Sequence, residues 1–158
     1  MKVRRVEAGD REWVAEVVRT HFASTRMVSR GRLYEDVSVL DGFIVEGDGR
    51  PIGLSLWEER DGDAELVVMV TLNRGSGAGT MLIDAVVEYA REHDWQRLWL
   101  ITTNDNVDAI RFYQRAGWDW VGFYRDAVTE ARGLKPEMGE LGAHGLPIRH
   151  EIEFEAPL

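Results

Sequence analysis

The sequence predicts a single α/β (α+β) domain, and three observations carry that prediction. Apolar runs with strand character lie both before and after two strongly periodic helices, the pattern of helices packed on a sheet. The middle of the chain reads strand, glycine loop, helix, strand. The chain has 158 residues, the size of one ordinary domain, with no repeat, low-complexity tract or linker to divide it, so residues 1–158 are expected to form one unit.

In chain order, Val3–Val6 reads as a first strand. Asp10 is placed to cap a helix that carries Trp13, Val14, Val17, Val18 and Phe22 on one face. The polar run 24–31 (STRMVSRG) reads as a loop, and a weaker helix is expected over 32–40. Phe43–Glu46 and Ile52–Glu58 read as strands around the turn Gly47-Asp48-Gly49. A second turn, Asp61-Gly62-Asp63, leads into the apolar strand Glu65–Leu72. Leu82, Ala85, Val86, Tyr89 and Ala90 recur at helical spacing and predict a helix over 80–92. Arg97–Thr103 reads as a buried strand, and Val107–Ala116 as a helix ended by Gly117. Trp118–Tyr124 and Ile148–Phe154 read as closing strands. In the latter, Ile148, His150, Ile152 and Phe154 alternate with Arg149, Glu151, Glu153 and Glu155, which predicts one wet face.

Composition excludes several classes. Hydrophobic residues make up 44%, too many for a disordered chain. No apolar run approaches the ~18 residues of a membrane span, and MKVRRVEAGD has no apolar stretch behind its arginines, so no secretory signal is expected. Cysteine is absent, which removes disulfides, thiolate metal sites and cysteine nucleophiles and fits a cytoplasmic location. A formal net charge of −9 argues against a nucleic-acid partner and would favour a cationic small molecule such as an amine. Solubility alone explains an acidic chain equally well.

The informative stretch is residues 74–80, RGSGAGT, between a strand and a helix. Glycines let the backbone approach a ligand closely and turn without a Cβ penalty. Amides at a helix start point one way, and the helix dipole adds partial positive charge there. Together they suit a pyrophosphate, with Arg74 supplying a cation at the edge. A Walker loop would need a lysine before Thr80, and a Rossmann loop would need glycine where Thr80 stands. A plain flexible turn is the competing reading. Farther on, in 102–118 (TTNDNVDAIRFYQRAGW), Asn106 can cap a helix whose Ala109, Phe112 and Tyr113 share a face.

Taken together, Arg74-x-x-Gly77-x-Gly79 opening a helix, then a strand, then Asn106-x-x-Ala109-x-x-Phe112-Tyr113 with Ala116-Gly117-Trp118 resembles the GNAT acetyltransferase superfamily in order and separation. STRMVSRG, LITTNDN, FYQRAGW and the tail LKPEMGELGAHGLPIRHEIEFE look like a group of bacterial GNAT-like sequences without an assigned substrate. The resemblance implies a mixed central sheet of about six to seven strands, splayed at its centre to form the acyl-CoA cleft.

It also implies acetyl-CoA as cosubstrate and direct attack by an amine in a ternary complex. Met69, Val70, Thr71, Arg74, Gly75, Ser76, Gly77, Ala78, Gly79, Thr80, Asn106, Ala109, Phe112 and Tyr113 would then bind it. A backbone N–H at 69–71 would serve the oxyanion. Tyr113 would be the general acid and Glu65 a candidate general base, with a water chain or His21, His144 or His150 as alternatives. The strand before the loop is shorter than is common in the family, but by a number that keeps parity, so Glu65, Met69 and Thr71 are expected on one face.

The acceptor, a small-molecule or peptide amine, is expected between 24–31 and the long segment 125–147. Arg26 and Arg30, with Lys135, Glu137 and Glu140, are the charged candidates there. No histidine has metal-ligand spacing to another, so no metal is expected. A non-catalytic acyl-CoA sensor on the same fold and an unrelated nucleotide-binding module are the competing functions. The identity of the amine, the acyl length and the choice between monomer and homodimer stay open.

Overall fold

The computed structural model describes residues 1–158. β1 (Lys2–Arg5) leads to α1 (Arg11–Phe22), then to β2 (Met27–Ser29) and β3 (Arg32–Tyr34). β4 (Asp41–Gly47), β5 (Arg50–Arg60) and β6 (Asp63–Thr71) follow, then α2 (Ala78–Glu92) and β7 (Arg97–Thr103). α3 (Val107–Arg115), β8 (Asp119–Tyr124), α4 (Ala127–Ala131) and β9 (Glu151–Glu155) complete the chain. Seven strands form one mixed sheet in the order β1-β4-β5-β6-β7-β9-β8, while β2 and β3 make a separate hairpin. All neighbours in the large sheet are antiparallel except β6 and β7. Those two are joined through α2, as a parallel pair requires a crossover.

Helices cover both faces of the sheet. Ile83, Val86 and Ala90 of α2 pack with Leu98, Leu100, Tyr113, Ile152 and Phe154 on one side. Val14, Val17 and Val18 of α1 pack with Ile44, Leu54, Leu56, Val68 and Val70 on the other. The turns Asp48-Gly49 and Asp61-Gly62 have positive φ at both residues, the primed geometry that matches strand twist.

The β6–β7 pairing shapes the site. It covers only Asp63–Glu65 against Arg97–Trp99. Beyond Glu65 the edge of β6 toward β7 has no strand partner, so the sheet opens at its centre as the resemblance implies.

Four expectations are corrected. Residues 24–40 hold the β2–β3 hairpin and a 3-10 turn at Val37–Val39, not a loop and a helix. The hairpin turns on Arg30 and Gly31, both at positive φ. Three-residue strands are too short to show a period. Asp10 makes no side-chain cap on α1. Its carboxylate instead binds Arg4 at 2.7 Å and accepts the Glu7 N–H, and the Arg4 guanidinium pulls its pKa down to about 2.

Glu65 and Met69 lie on opposite faces. The register against β5 shifts so that Leu56 faces Val68 while Trp57 faces Leu66, leaving Val67 as an extra residue. Such a bulge inverts strand parity. Ala64, Leu66 and Met69 therefore pack on the α2 side. Val67, Val68 and Val70 pack on the α1 side, as does Glu65 through Tyr34. Lastly, β9 has no wet face: Glu151 and Glu153 are buried to 2% and 8% exposure.

Candidate functional site

Asn73–Gly77 turns the chain from β6 into α2. Gly75 and Gly77 have φ of 76° and 84°, values that L side chains adopt at a cost. Gly77 is the N-cap, and α2 begins at Ala78, two residues before the expected 80. Gly79 and Thr80 thus lie in the first turn, where amides have no intrahelical partner and the dipole is positive. The Ser76 hydroxyl turns back into the loop, donating to the Asn73 carbonyl at 2.8 Å and accepting the Ala78 N–H at 3.3 Å. A Cβ at Gly79 would sit 3.3 Å from Phe112 Cζ and 3.4 Å from Met69 Cε, so this glycine lets α2, α3 and β6 converge.

On the far side, Asn106 caps α3 by accepting the Ala109 N–H at 3.2 Å. This places Ala109, Phe112 and Tyr113 toward the opening. Tyr113 is 7% exposed and its hydroxyl reaches only Met69 Sδ, at 3.4 Å. Burial raises its pKa, so the phenol stays protonated and holds a proton that only a weak thioether acceptor engages.

Between these walls lies a cleft of about 900 Å³, lined by Met69, Val70, Thr71, Arg74, Gly75, Gly77, Ala78, Gly79, Thr80, Asn106, Ala109, Phe112 and Tyr113. Thirteen of the fourteen residues named for cofactor binding are thereby brought together. Ser76 stands outside the lining. His21, Phe22, Asn73, Ile83, Asp84, Asp108, Arg111, Arg115 and Ala116 also line the cleft. Of these, Ile83 follows from α2 periodicity, whereas His21 and Phe22 arrive from the end of α1 and leave no local signal. Arg74 lies at the mouth and pairs with Asp108 at 2.8 Å; both are well exposed.

The other face of the opening is polar and enclosed. Glu65, 6% exposed, accepts a 2.6 Å hydrogen bond from the Tyr34 hydroxyl. Burial pushes the Glu65 carboxyl up, and the Ser29 and Tyr34 hydroxyls and nearby Arg32 oppose that shift. Glu151 is likewise raised by burial, against the pull of Arg30. Arg30 donates to Glu151 from its backbone N–H and its guanidinium, each at 3.3 Å, and lies 3.2 Å from the Tyr124 ring centroid.

Arg26 does not reach this cluster. It donates to the Leu134 carbonyl at 3.1 Å and lies 3.8 Å from Glu35, tying the hairpin region to the 125–147 segment. Lys135 is buried and donates to the Phe22 carbonyl at the end of α1, while Glu137 and Glu140 are exposed. His21 lines the cleft with its Nδ1 engaged by the Val17 carbonyl. His150 accepts the Asp126 N–H at Nδ1, a structural use, and His144 lies exposed at φ 59°. No three His, Asp or Glu side chains are gathered as a metal would require.

Residues 12–118 match the profile of the acetyltransferase (GNAT) family. The uncharacterized protein YdhI of Bacillus subtilis (strain 168) is 41% identical over 116 residues, 73% of this chain and 72% of that protein. The uncharacterized protein YxbD of the same organism is 31% identical over 143 residues, 90% and 89% of the two chains. A GNAT family acetyltransferase from Elizabethkingia anophelis, solved with acetyl-CoA bound, superposes with a TM-score of 0.71 at 14% identity, covering 99% of this chain and 97% of that one. No helix is long and apolar enough to cross a membrane.

Proposed function

The chain belongs to the GNAT acetyltransferase family, and from that premise we propose that it moves the acetyl group of acetyl-CoA to a primary amine by direct attack in a ternary complex. The observation that carries the reading is the short β6–β7 pairing, which ends at Glu65 and leaves a cleft between a glycine-lined helix start and a buried tyrosine. A long, thin ligand with a pyrophosphate at one end fits this shape and this donor set.

The assignments follow the chemistry. The amides of Gly77–Thr80 and the α2 dipole meet the pyrophosphate. Arg74 leaves Asp108 for the same group; an exposed pair is worth ~0–1 kcal/mol, so the exchange costs little. The open edge of β6 past Glu65, bulged at Val67, offers backbone N–H groups to the carbonyl oxygen as negative charge develops on it. Acetyl-CoA, when bound, supplies an activated thioester. As the amine forms its C–N bond the C–S bond breaks; Glu65 takes the amine proton and the Tyr113 hydroxyl donates to the departing sulfur. A thiol's pKa of ~8.5 lies below that of a buried phenol, so Tyr113 acts chiefly by hydrogen bonding to the sulfur as charge builds on it.

Tyr113 lines the cleft and Glu65 lies on the opposite face of the sheet, so in this reading amine and thioester approach from opposite sides. The test is incubation with acetyl-CoA and a panel of primary amines, following free thiol and the amide product by mass spectrometry. Stoichiometric release of both is expected. Tight acetyl-CoA binding with no amide from any amine would favour a non-catalytic sensor.

A further inference from the structure

Resting on that transfer reading, we infer that the acceptor is a dication: a primary amine carrying a second ammonium or guanidinium group, which takes the place now held by Arg30. Glu151 is almost fully enclosed, and its cationic partner is the Arg30 guanidinium. That guanidinium stacks on Tyr124 while reaching the carboxylate. Aromatic face plus carboxylate is how a protein receives a cationic ligand.

Three features mark Arg30 as a replaceable occupant. Its 3.3 Å contact to Glu151 is long beside the ~2.7–2.9 Å of a tight charge-assisted bond. It sits at φ 50°, a strained backbone for a non-glycine residue, and at the tip of a hairpin whose strands pair with no other strand. The Ser29 hydroxyl, in a residue only 6% exposed, lies beside the Glu65 carboxylate and opposes the rise in its pKa, so this end of the site is lined by polar groups.

The two ends of the site share one face of the sheet, Glu65 opposite Trp99 of β7 and Glu151 opposite Thr103 of the same strand, and the Glu151 carboxylate disfavours charge on Glu65. Glu153 beside them is already answered by Arg97 at 2.6 Å and by the Tyr124 hydroxyl at 3.2 Å. Arg32 is committed to Glu58 and to the Tyr34 ring. A reacting amine at Glu65 with its second cation on Tyr124 and Glu151 therefore leaves no buried carboxylate uncompensated once Arg30 withdraws.

Calorimetry on the whole chain without acetyl-CoA tests this with agmatine and putrescine as dications and butylamine as the single-charge control. The dications should bind about tenfold or more tightly than butylamine. Glu151→Gln, isosteric and uncharged, should erase the difference. Arg30→Gly, which also suits the positive φ, should tighten the dications several-fold. With acetyl-CoA present, Glu151→Gln should raise KM for agmatine about tenfold while kcat stays within about twofold, the mark of a substrate contact made equally in the ground and transition states. Equal affinity for dications and butylamine, an unchanged Glu151→Gln variant, or weaker dication binding in Arg30→Gly would each overturn the inference. Dication binding as described with no thiol released would instead overturn the transfer reading and leave the pocket standing.

Discussion

Removing the Tyr113 hydroxyl leaves nothing in the core unpaired, because its one contact is the Met69 thioether at 3.4 Å. Tyr113→Phe should therefore melt close to the wild type and bind acetyl-CoA nearly as well. Its transfer rate should fall about 10²–10³-fold, the share of one transition-state hydrogen-bond donor, in kcat and kcat/KM together, when followed by thiol release. Glu65 gives a pH signature of definite sign. Its folded pKa is raised by burial, so ionisation in the folded state costs stability as pH climbs through that value, and none of the cost is present below the ordinary carboxylate range. Glu65→Gln keeps an acceptor for Tyr34 and should melt higher than wild type at neutral pH, the gain shrinking toward pH ~4. The acidic limb of kcat/KM against pH, set in the wild type above the usual Glu range, should vanish in the same variant. The partners that raise or occupy these side chains come from distant segments, so the motif residues were legible in the sequence while the enclosure of Glu65 and Glu151 was not.

Among the elements, the glycine loop separates two kinds of glycine. Around Gly77 the space is open, with Met1 Cε at 3.7 Å as the sole neighbour of a built Cβ, but φ is 84°. Gly77→Ala should cost stability, about 1–2 kcal/mol from the left-handed backbone alone, read by thermal denaturation. Gly79 has ordinary backbone and crowded surroundings, so Gly79→Ala should push Phe112 and Met69 into the cleft and weaken acetyl-CoA binding more than it lowers Tm. At the cleft mouth, Arg74→Ala should lower affinity by about 1.5–3 kcal/mol, equally for CoA and dephospho-CoA, if it meets the pyrophosphate. Asp108→Asn should tighten both by freeing Arg74; calorimetry decides. Helices α2 and α3 could be read locally because their periodicity and caps are local. The β2–β3 hairpin could not, since three-residue strands in a polar run carry no period. β9 misled for a different reason: its Glu-Ile-Glu-Phe-Glu alternation is real, but Arg30 and Arg97 cover the face it marks as wet.

For the whole molecule, one mixed sheet with a single short parallel pairing sets everything else. Apart from the β2–β3 hairpin and α4, the order of elements was legible from the sequence, and the central opening followed from the resemblance. The bulge at Val67 was not legible, because strand parity is decided by pairing with β5 and not by the composition of β6. That one residue sends Glu65 to one face and Met69 to the other, and so divides the proposed acceptor side from the proposed cofactor side. Hydrogen–deuterium exchange with and without acetyl-CoA tests that division most directly. Slowed exchange should be confined to Leu66–Thr71, to the loop and first turn through Thr80, and to α3 around Ala109–Tyr113, while the β2–β3 hairpin stays as it was. Unchanged exchange across the β6–β7 opening, with protection appearing elsewhere or nowhere, would contradict the account.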